Sequence, residues 1–403
     1  MIKLANRSLA LKPSPTLALA AKAKELAALG KDVISLTVGE PDWDTFPRIK
    51  QAAMQALEKG QTKYAPANGI PELRQEIASR TSKELDLKYT ANQVTVTAGG
   101  KMVVFAALQV LCNPGDEVIV PAPYWVSYPP MAELADAVPV IVDCPSSAGF
   151  KLTAAQLSTA ITPRTKILIL NSPSNPTGEM YTRQELSALA EVLKRHPQVV
   201  VLSDDIYNRL TLTEESLAPH LLHVAPELQE RVVVINGASK TFSMTGWRLG
   251  WAVGEQSIIN AMTNYFSQSV SCAAPFAQQG ILAGLKDGEQ DVQNAVVQLR
   301  SRAKSALAAL KDVPGIEVTA PSGAFYFWPS IRSLMGKSLN GKIIHGSREF
   351  AELLLSEEMV AVVPGVEFGA EGFVRLSFVI AEPRWREAMQ RLARFVSRLE
   401  TKT

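Results

Sequence analysis

The chain has 403 residues, of which 47% are apolar and 20% charged, a composition ordinary for globular domains and large enough for a core that needs no staples. Its 41 basic and 39 acidic residues balance to +2, without the basic excess of a nucleic-acid binder. Three scattered cysteines (Cys112, Cys144, Cys272) and four histidines, of which only His220 and His223 are close, fit neither a disulfide framework nor a metal site.

In chain order, the first 45 residues are expected to carry a helix over Thr16–Gly30 and little else. The basic N-terminus lacks the apolar stretch and small-residue cleavage site of a secretory signal, which points with the unpaired cysteines to the cytoplasm. Loops are expected at Gly39–Asp42, Pro71, Pro114-Gly115 and Pro173–Gly178. Seven short apolar runs follow: Val94–Ala98, Glu117–Pro121, Val138–Val142, Ile167–Asn171, Val199–Asp204, Val232–Asn236 and Leu249–Val253. Most are apolar at successive positions, as in strands covered on both faces, and helical patterns such as Thr182–His196 lie between many of them. The longest apolar stretch, Val103–Cys112, is broken by Gln109 and falls short of the ~18 residues of a membrane span.

The fold class predicted is α/β, with a seven-stranded, mostly parallel sheet over about residues 50–290. A long helix over Glu289–Asp312 stops at Pro314-Gly315. Extended segments at Phe325–Pro329, Val360–Val363 and Val374–Phe378, with helices at Ser347–Glu358 and Pro383–Leu399, read as a smaller α+β unit. The expected division is a large domain over 46–290 and a small domain built from 1–45 and 291–403.

Candidate functional residues cluster at strand ends. Gly99-Gly100-Lys101 opens a helix after the first run, where free N–H groups and the helix dipole suit an anion; a purely steric Gly-Gly turn is the alternative. The turn is neither a Walker A loop nor GxGxxG, so nucleotide readings lose their support. Asp204 ends an apolar strand where open α/β sheets hold ligands; it either caps a helix or pairs with a protonated ring nitrogen. Lys240 sits among small residues after another strand, either solvated or desolvated for Schiff-base chemistry. Arg248 could fork onto a phosphate, Asn175 could aim an amide at an anionic oxygen or stiffen its Asn-Pro loop, and Trp125 could stack on a planar ring or fill core. Together these are the parts of a pyridoxal phosphate site.

NSPSNPTG at 171–178, SDDIY at 203–207 and SKTFSMTGWRLGW at 239–251 resemble class I aminotransferases, the fold-type-I pyridoxal phosphate group. The resemblance extends through VGEPDWDTF at 38–46, KYAPANGIPELR at 63–74, GGK at 99–101, PAPYWVSYP at 121–129, PSGAFY at 321–326 and VRLSF at 374–378. With KPSPT at 12–16 it is nearest the bacterial aspartate aminotransferase subgroup whose members often also act on prephenate. It implies pyridoxal 5'-phosphate held covalently by Lys240, which also shuttles the substrate Cα proton. It implies Asp204 on the pyridinium nitrogen, Asn175 and Tyr207 on the phenolic oxygen, Trp125 on the ring, and Gly100 and Arg248 on the phosphate. Tyr64 would reach the phosphate of the neighbouring subunit in a homodimer with shared sites. Arg375 would take the substrate α-carboxylate, helped by Asn175 and the Gly39 backbone. Lys101 and Lys12 would serve the distal carboxylate. Gly237 departs from relatives that carry Ser three residues before the lysine.

The implied reaction moves an amino group from aspartate to 2-oxoglutarate by a ping-pong cycle, with prephenate as an additional acceptor. The alternatives are an aminotransferase of aromatic or other amino acids and a pyridoxal phosphate lyase on the same scaffold. A ligand-sensing regulator would need a DNA-binding segment, and none is legible at either end. The expected partners are therefore small amino and 2-oxo acids, not nucleic acid or membrane.

Overall fold

The computed structural model describes residues 2–11 and 15–400. Seven strands form one sheet: β1 Val94–Thr97, β2 Glu117–Ala122, β3 Val138–Asp143, β4 Thr165–Asn171, β5 Val200–Asp204, β6 Val232–Gly237 and β7 Gly250–Val253. Their spatial order is β1-β7-β6-β5-β4-β2-β3. Strand β7 alone runs antiparallel to its neighbours β1 and β6, and all other pairs are parallel.

Alternating side chains of the strands feed two separate cores. Val118, Val120, Ile167, Ile169, Leu202, Val233 and Ile235 pack on one face with Val103, Met262 and Phe266 of the helices Gly100–Leu111 and Gln256–Ser267. Ile119, Leu168, Leu170, Val201, Val232 and Val234 pack on the other with Leu73, Ile77, Leu189 and Ile281. Strands apolar at successive positions are thus buried on both sides, as a parallel sheet between helices requires. Strand β3 is the exception. It lies at the sheet edge, and Val138 and Ile141 are exposed.

Three expectations change. Pro71 does not mark a loop but opens the helix Pro71–Leu85, where its missing N–H costs nothing. Before residue 45 the chain also forms a short helix at Asn6–Ala10 and a two-residue strand at Ile34–Ser35 besides the helix Pro15–Ala28. Ile34–Ser35 pairs in parallel with Val360–Ala361, so the N-terminal segment is tied to the C-terminal part of the chain. There the helices Glu289–Lys311, Ser347–Glu358 and Glu382–Ser397 pack around a three-stranded sheet of Val363–Pro364, Val374–Ser377 and Tyr326–Phe327. The single extended run expected over Val360–Val363 is two short strands in different sheets.

Gly237 faces Gly250 across β6 and β7. A Cβ at 237 would lie 2.9 Å from the Leu249 carbonyl oxygen and 3.1 Å from Ile206 Cδ1. This close approach means that no side chain at 237 is tolerated without movement of its neighbours. Gly237→Ser is expected to destabilise the protein by about 1–3 kcal/mol, read as a lower denaturation midpoint at unchanged slope.

Candidate active site

The carboxyl ends of β1, β2, β4, β5 and β6 lie along one edge of the sheet, and the antiparallel run of β7 brings its amino end to the same edge. The loops leaving these ends therefore carry Gly100, Trp125, Asn175, Tyr207 and Lys240 to one place, and Arg248 arrives from just before β7. Open α/β sheets collect ligands at this edge.

Asp204 is buried at the end of β5. Tyr128 Oη donates to its Oδ2 at 2.6 Å, and the Ile206 N–H donates to Oδ1 at 3.3 Å. Loss of solvation outweighs these donors and pushes the carboxyl pKa up to about 6. No helix follows Asp204, so it is not a helix cap. Lys240 Nζ donates to the Gly39 carbonyl. Burial, then the Arg375 charge, lowers its pKa to about 8 despite the acids Glu40 and Asp204 nearby.

Arg375 is buried on the strand Val374–Ser377. Its Nη1 donates to Asn175 Oδ1 at 2.8 Å, its Nη2 donates to the Thr37 carbonyl at 2.7 Å, and its Nε has no protein acceptor. The guanidinium lies 4.5 Å from the Tyr326 ring centre and 5.1 Å from that of Phe368. Among the described residues no carboxylate forms an ion pair with it, and burial depresses its pKa. A buried guanidinium without an acid is costly unless a ligand supplies the anion.

Gly99 adopts φ 93°, a left-handed conformation suited to glycine, and Gly100 begins the helix Gly100–Leu111. A Cβ on Gly99 would strike Arg248 Nη2 at 2.5 Å. The guanidinium thus lies directly over the helix N-terminus, and a pair of cationic and N–H groups faces the same space. Lys101 Nζ sits 5.0 Å from the Trp125 ring centre, its pKa lowered first by partial burial and then by Arg248. Trp125 itself packs edge-on against Tyr128.

The structure brings Gly39, Gly100, Lys101, Trp125, Asn175, Asp204, Tyr207, Lys240, Arg248 and Arg375 to one region. Tyr64 does not join it within one chain: it is 91% exposed. Lys12 lies outside the described residues. Two residues of the region escaped the sequence reading. Tyr128 holds Asp204, and Tyr326 holds Tyr207 through a 2.9 Å hydroxyl contact. Both stood inside the quoted segments PAPYWVSYP and PSGAFY, but their partners are more than 70 residues away.

The sequence pattern described as "Aminotransferase class I and II" matches residues 31–392. The chain belongs to the class I and II aminotransferases. It is 46% identical to an aspartate/prephenate aminotransferase of Cereibacter sphaeroides, over 96% of this chain and 97% of that one. It is 42% identical to the aspartate aminotransferase of Bacillus subtilis, over 98% and 100%. Among solved structures, the aspartate aminotransferase of Rhizobium meliloti superposes with a TM-score of 0.95 at 37% identity, covering 99% of this chain and 100% of that chain. The Thermus thermophilus aspartate aminotransferase with maleate gives 0.91 at 41%, covering 98% and 100%. No helix among the described residues of this aminotransferase is long and apolar enough to cross a membrane.

The raised pKa of Asp204 has a stability consequence in the cofactor-free protein. An acid whose pKa rises from the ordinary 3.8 to about 6 in the folded protein favours folding at low pH and loses that contribution as pH rises through this window. Asp204→Asn, which keeps an acceptor for Tyr128, is therefore expected to stabilise the cofactor-free protein at pH 7–8 by up to about 2–3 kcal/mol. The gain should vanish below about pH 4 in denaturant titrations. For Lys240, amine labelling of the cofactor-free protein should titrate near pH 8, below the range of a solvated lysine.

Proposed function

We propose that this aminotransferase uses pyridoxal 5'-phosphate to exchange an amino group between aspartate and 2-oxoglutarate, giving oxaloacetate and glutamate. The observation that carries the amino-acid part of this reading is the buried Arg375 guanidinium, which has protein acceptors on two nitrogens and no acid among the described residues. Its fork matches an α-carboxylate. The full-length similarity to proteins named aspartate and aspartate/prephenate aminotransferases supports the same choice.

The residues present fit the cofactor. Asp204 is a buried carboxylate whose hydrogen bonds come only from neutral donors and which forms no ion pair among the described residues, so a protonated ring nitrogen would satisfy it. Gly100 and Arg248 would hold the phosphate, Trp125 would stack on the ring, and Asn175 and Tyr207 would contact its phenolic oxygen. Lys240 would carry the cofactor covalently. When bound, pyridoxal 5'-phosphate supplies an aldehyde carbon for amine exchange and a cationic ring that draws electron density from the substrate Cα.

The chain's own residues do the rest. Ionised Asp204 would keep the ring nitrogen protonated by charge pairing. Arg375 and Asn175 orient the substrate through its carboxylate, with the Gly39 backbone beside them. The Lys240 amine, whose lowered pKa leaves an appreciable neutral fraction near pH 8, takes the Cα proton and returns it during transfer. Lys101, next to Trp125, would meet the distal carboxylate of a dicarboxylic acid, and Lys12 is a further candidate for that contact. Prephenate is a second acceptor in this reading, supported by the names of the relatives. The working unit would be a homodimer in which the exposed Tyr64 reaches the partner's phosphate site. Residues 46–290 would form the cofactor domain and 1–45 with 291–403 a smaller one, in a cytoplasmic enzyme.

A transamination panel tests this directly, pairing aspartate or glutamate with 2-oxoglutarate, oxaloacetate, prephenate and phenylpyruvate. The expected result is fast aspartate–2-oxoglutarate exchange, abolished by Lys240→Ala in a protein that still folds. Arg375→Ala should lower kcat/KM for every amino acid by about 10²-fold or more. Lys101→Ser should weaken dicarboxylates more than monocarboxylates. Equal losses for both classes would remove Lys101 from the recognition scheme, and inactivity toward aspartate would overturn the substrate assignment.

A further inference from the structure

We propose that Tyr326 is a positioning residue that serves both halves of the site: its hydroxyl sets the hydrogen bonding of Tyr207, and its ring supports Arg375. The proposal rests on the cofactor and substrate reading given above.

Tyr326 is 1% exposed on the strand Tyr326–Phe327, which pairs with the strand of Arg375. Its Oη lies 2.9 Å from Tyr207 Oη. Among the described residues this is the one hydrogen bond either hydroxyl makes. A phenol carries a single proton and can also accept. If Tyr207 spends its proton on a phenolic oxygen of the cofactor, its own oxygen can be satisfied only by a donor, and Tyr326 is the donor in reach. Burial raises the pKa of both phenols, so each keeps its proton. The result is a chain, Tyr326 O–H to Tyr207 O–H to the ligand oxygen, in which each bond polarises the next.

The ring has a separate task. The Arg375 guanidinium carbon lies 4.5 Å from its centre, and a desolvated cation gains from an aromatic face. With no acid beside Arg375, this face and the acceptors Asn175 Oδ1 and Thr37 O hold the guanidinium ready for a carboxylate. The hydroxyl also lies against the backbone at Gly39. A Cβ on Gly39 would sit 2.8 Å from Tyr326 Oη, so glycine at 39 leaves room for the hydroxyl beneath the carbonyl that accepts from Lys240.

The two tasks separate experimentally on the pyridoxal phosphate-loaded protein. Tyr326→Phe keeps the ring and removes the donor. Tyr207 then becomes a weaker donor, more charge stays on the cofactor's phenolic oxygen, and that charge holds the neighbouring proton. The pH midpoint of the cofactor's visible absorbance should rise by about half a unit, while the dissociation constant for maleate, measured by calorimetry, should change less than about twofold. Tyr326→Leu removes the ring as well and should weaken maleate about tenfold. A Phe variant whose midpoint coincides with that of the parent overturns the proposal, and so does a Leu variant that binds maleate as the parent does. Should the Leu variant not fold, the near-isosteric Phe variant still decides. Failure of the functional reading itself looks different: the parent protein would then show no cofactor absorbance band.

Discussion

This fold buries a carboxylate and a guanidinium around Lys240 without pairing them with each other. Asp204 rests on Tyr128 and a backbone N–H; Arg375 rests on Asn175, a carbonyl and two aromatic rings. Each costs stability unless a ligand pairs it, because a buried charge without a counterion loses its solvation. The raised pKa of Asp204 and the depressed pKa of Arg375 are two expressions of that cost. Such charges persist where the surrounding framework is rigid enough to hold them for a ligand of complementary charge.

The framework comes from two directions. Strands β4, β5 and β6 deliver Asn175, Asp204 and Lys240 from their carboxyl ends, and β7, running the other way, delivers Arg248. The segment around Gly39 comes from outside this sheet and is stitched to the Lys240–Arg248 segment. Thr45 Oγ1 donates to the Ser243 carbonyl at 2.5 Å, Ser243 Oγ donates to the Trp43 carbonyl, Trp247 Nε1 donates to Thr45 Oγ1 at 3.1 Å, and Thr245 Oγ1 donates to Glu40 at 2.5 Å. Segments about 200 residues apart thus share one seam, and the Gly39 carbonyl meets the Lys240 amine there.

Much of this was legible in the chain itself. The seven sheet strands lie within a residue or two of the apolar runs, because β-branched residues buried on both faces leave an unbroken apolar signature. The strand-end residues were legible for a related reason: turn-forming Gly, Asn and Asp interrupt those runs where the loops begin. The helix at Pro71 was misread because proline marks a loop and a helix start with the same residue. The short strand at Ile34–Ser35 carries two residues, too few for any periodicity to register.

Sequence alone determined the architecture of the sheet, the order of the elements and the identity of most side chains in the site, since these follow from local pattern and from motifs of adjacent residues. Tertiary structure alone decided what those side chains do to one another. Tyr128 meets Asp204, Tyr326 meets Tyr207 and Arg375, and Leu249 leaves no room for a side chain at 237. A pKa or a hydrogen-bond chain depends on distances and burial, and chain positions 76, 119 and 200 residues apart acquire those only when the backbone has folded.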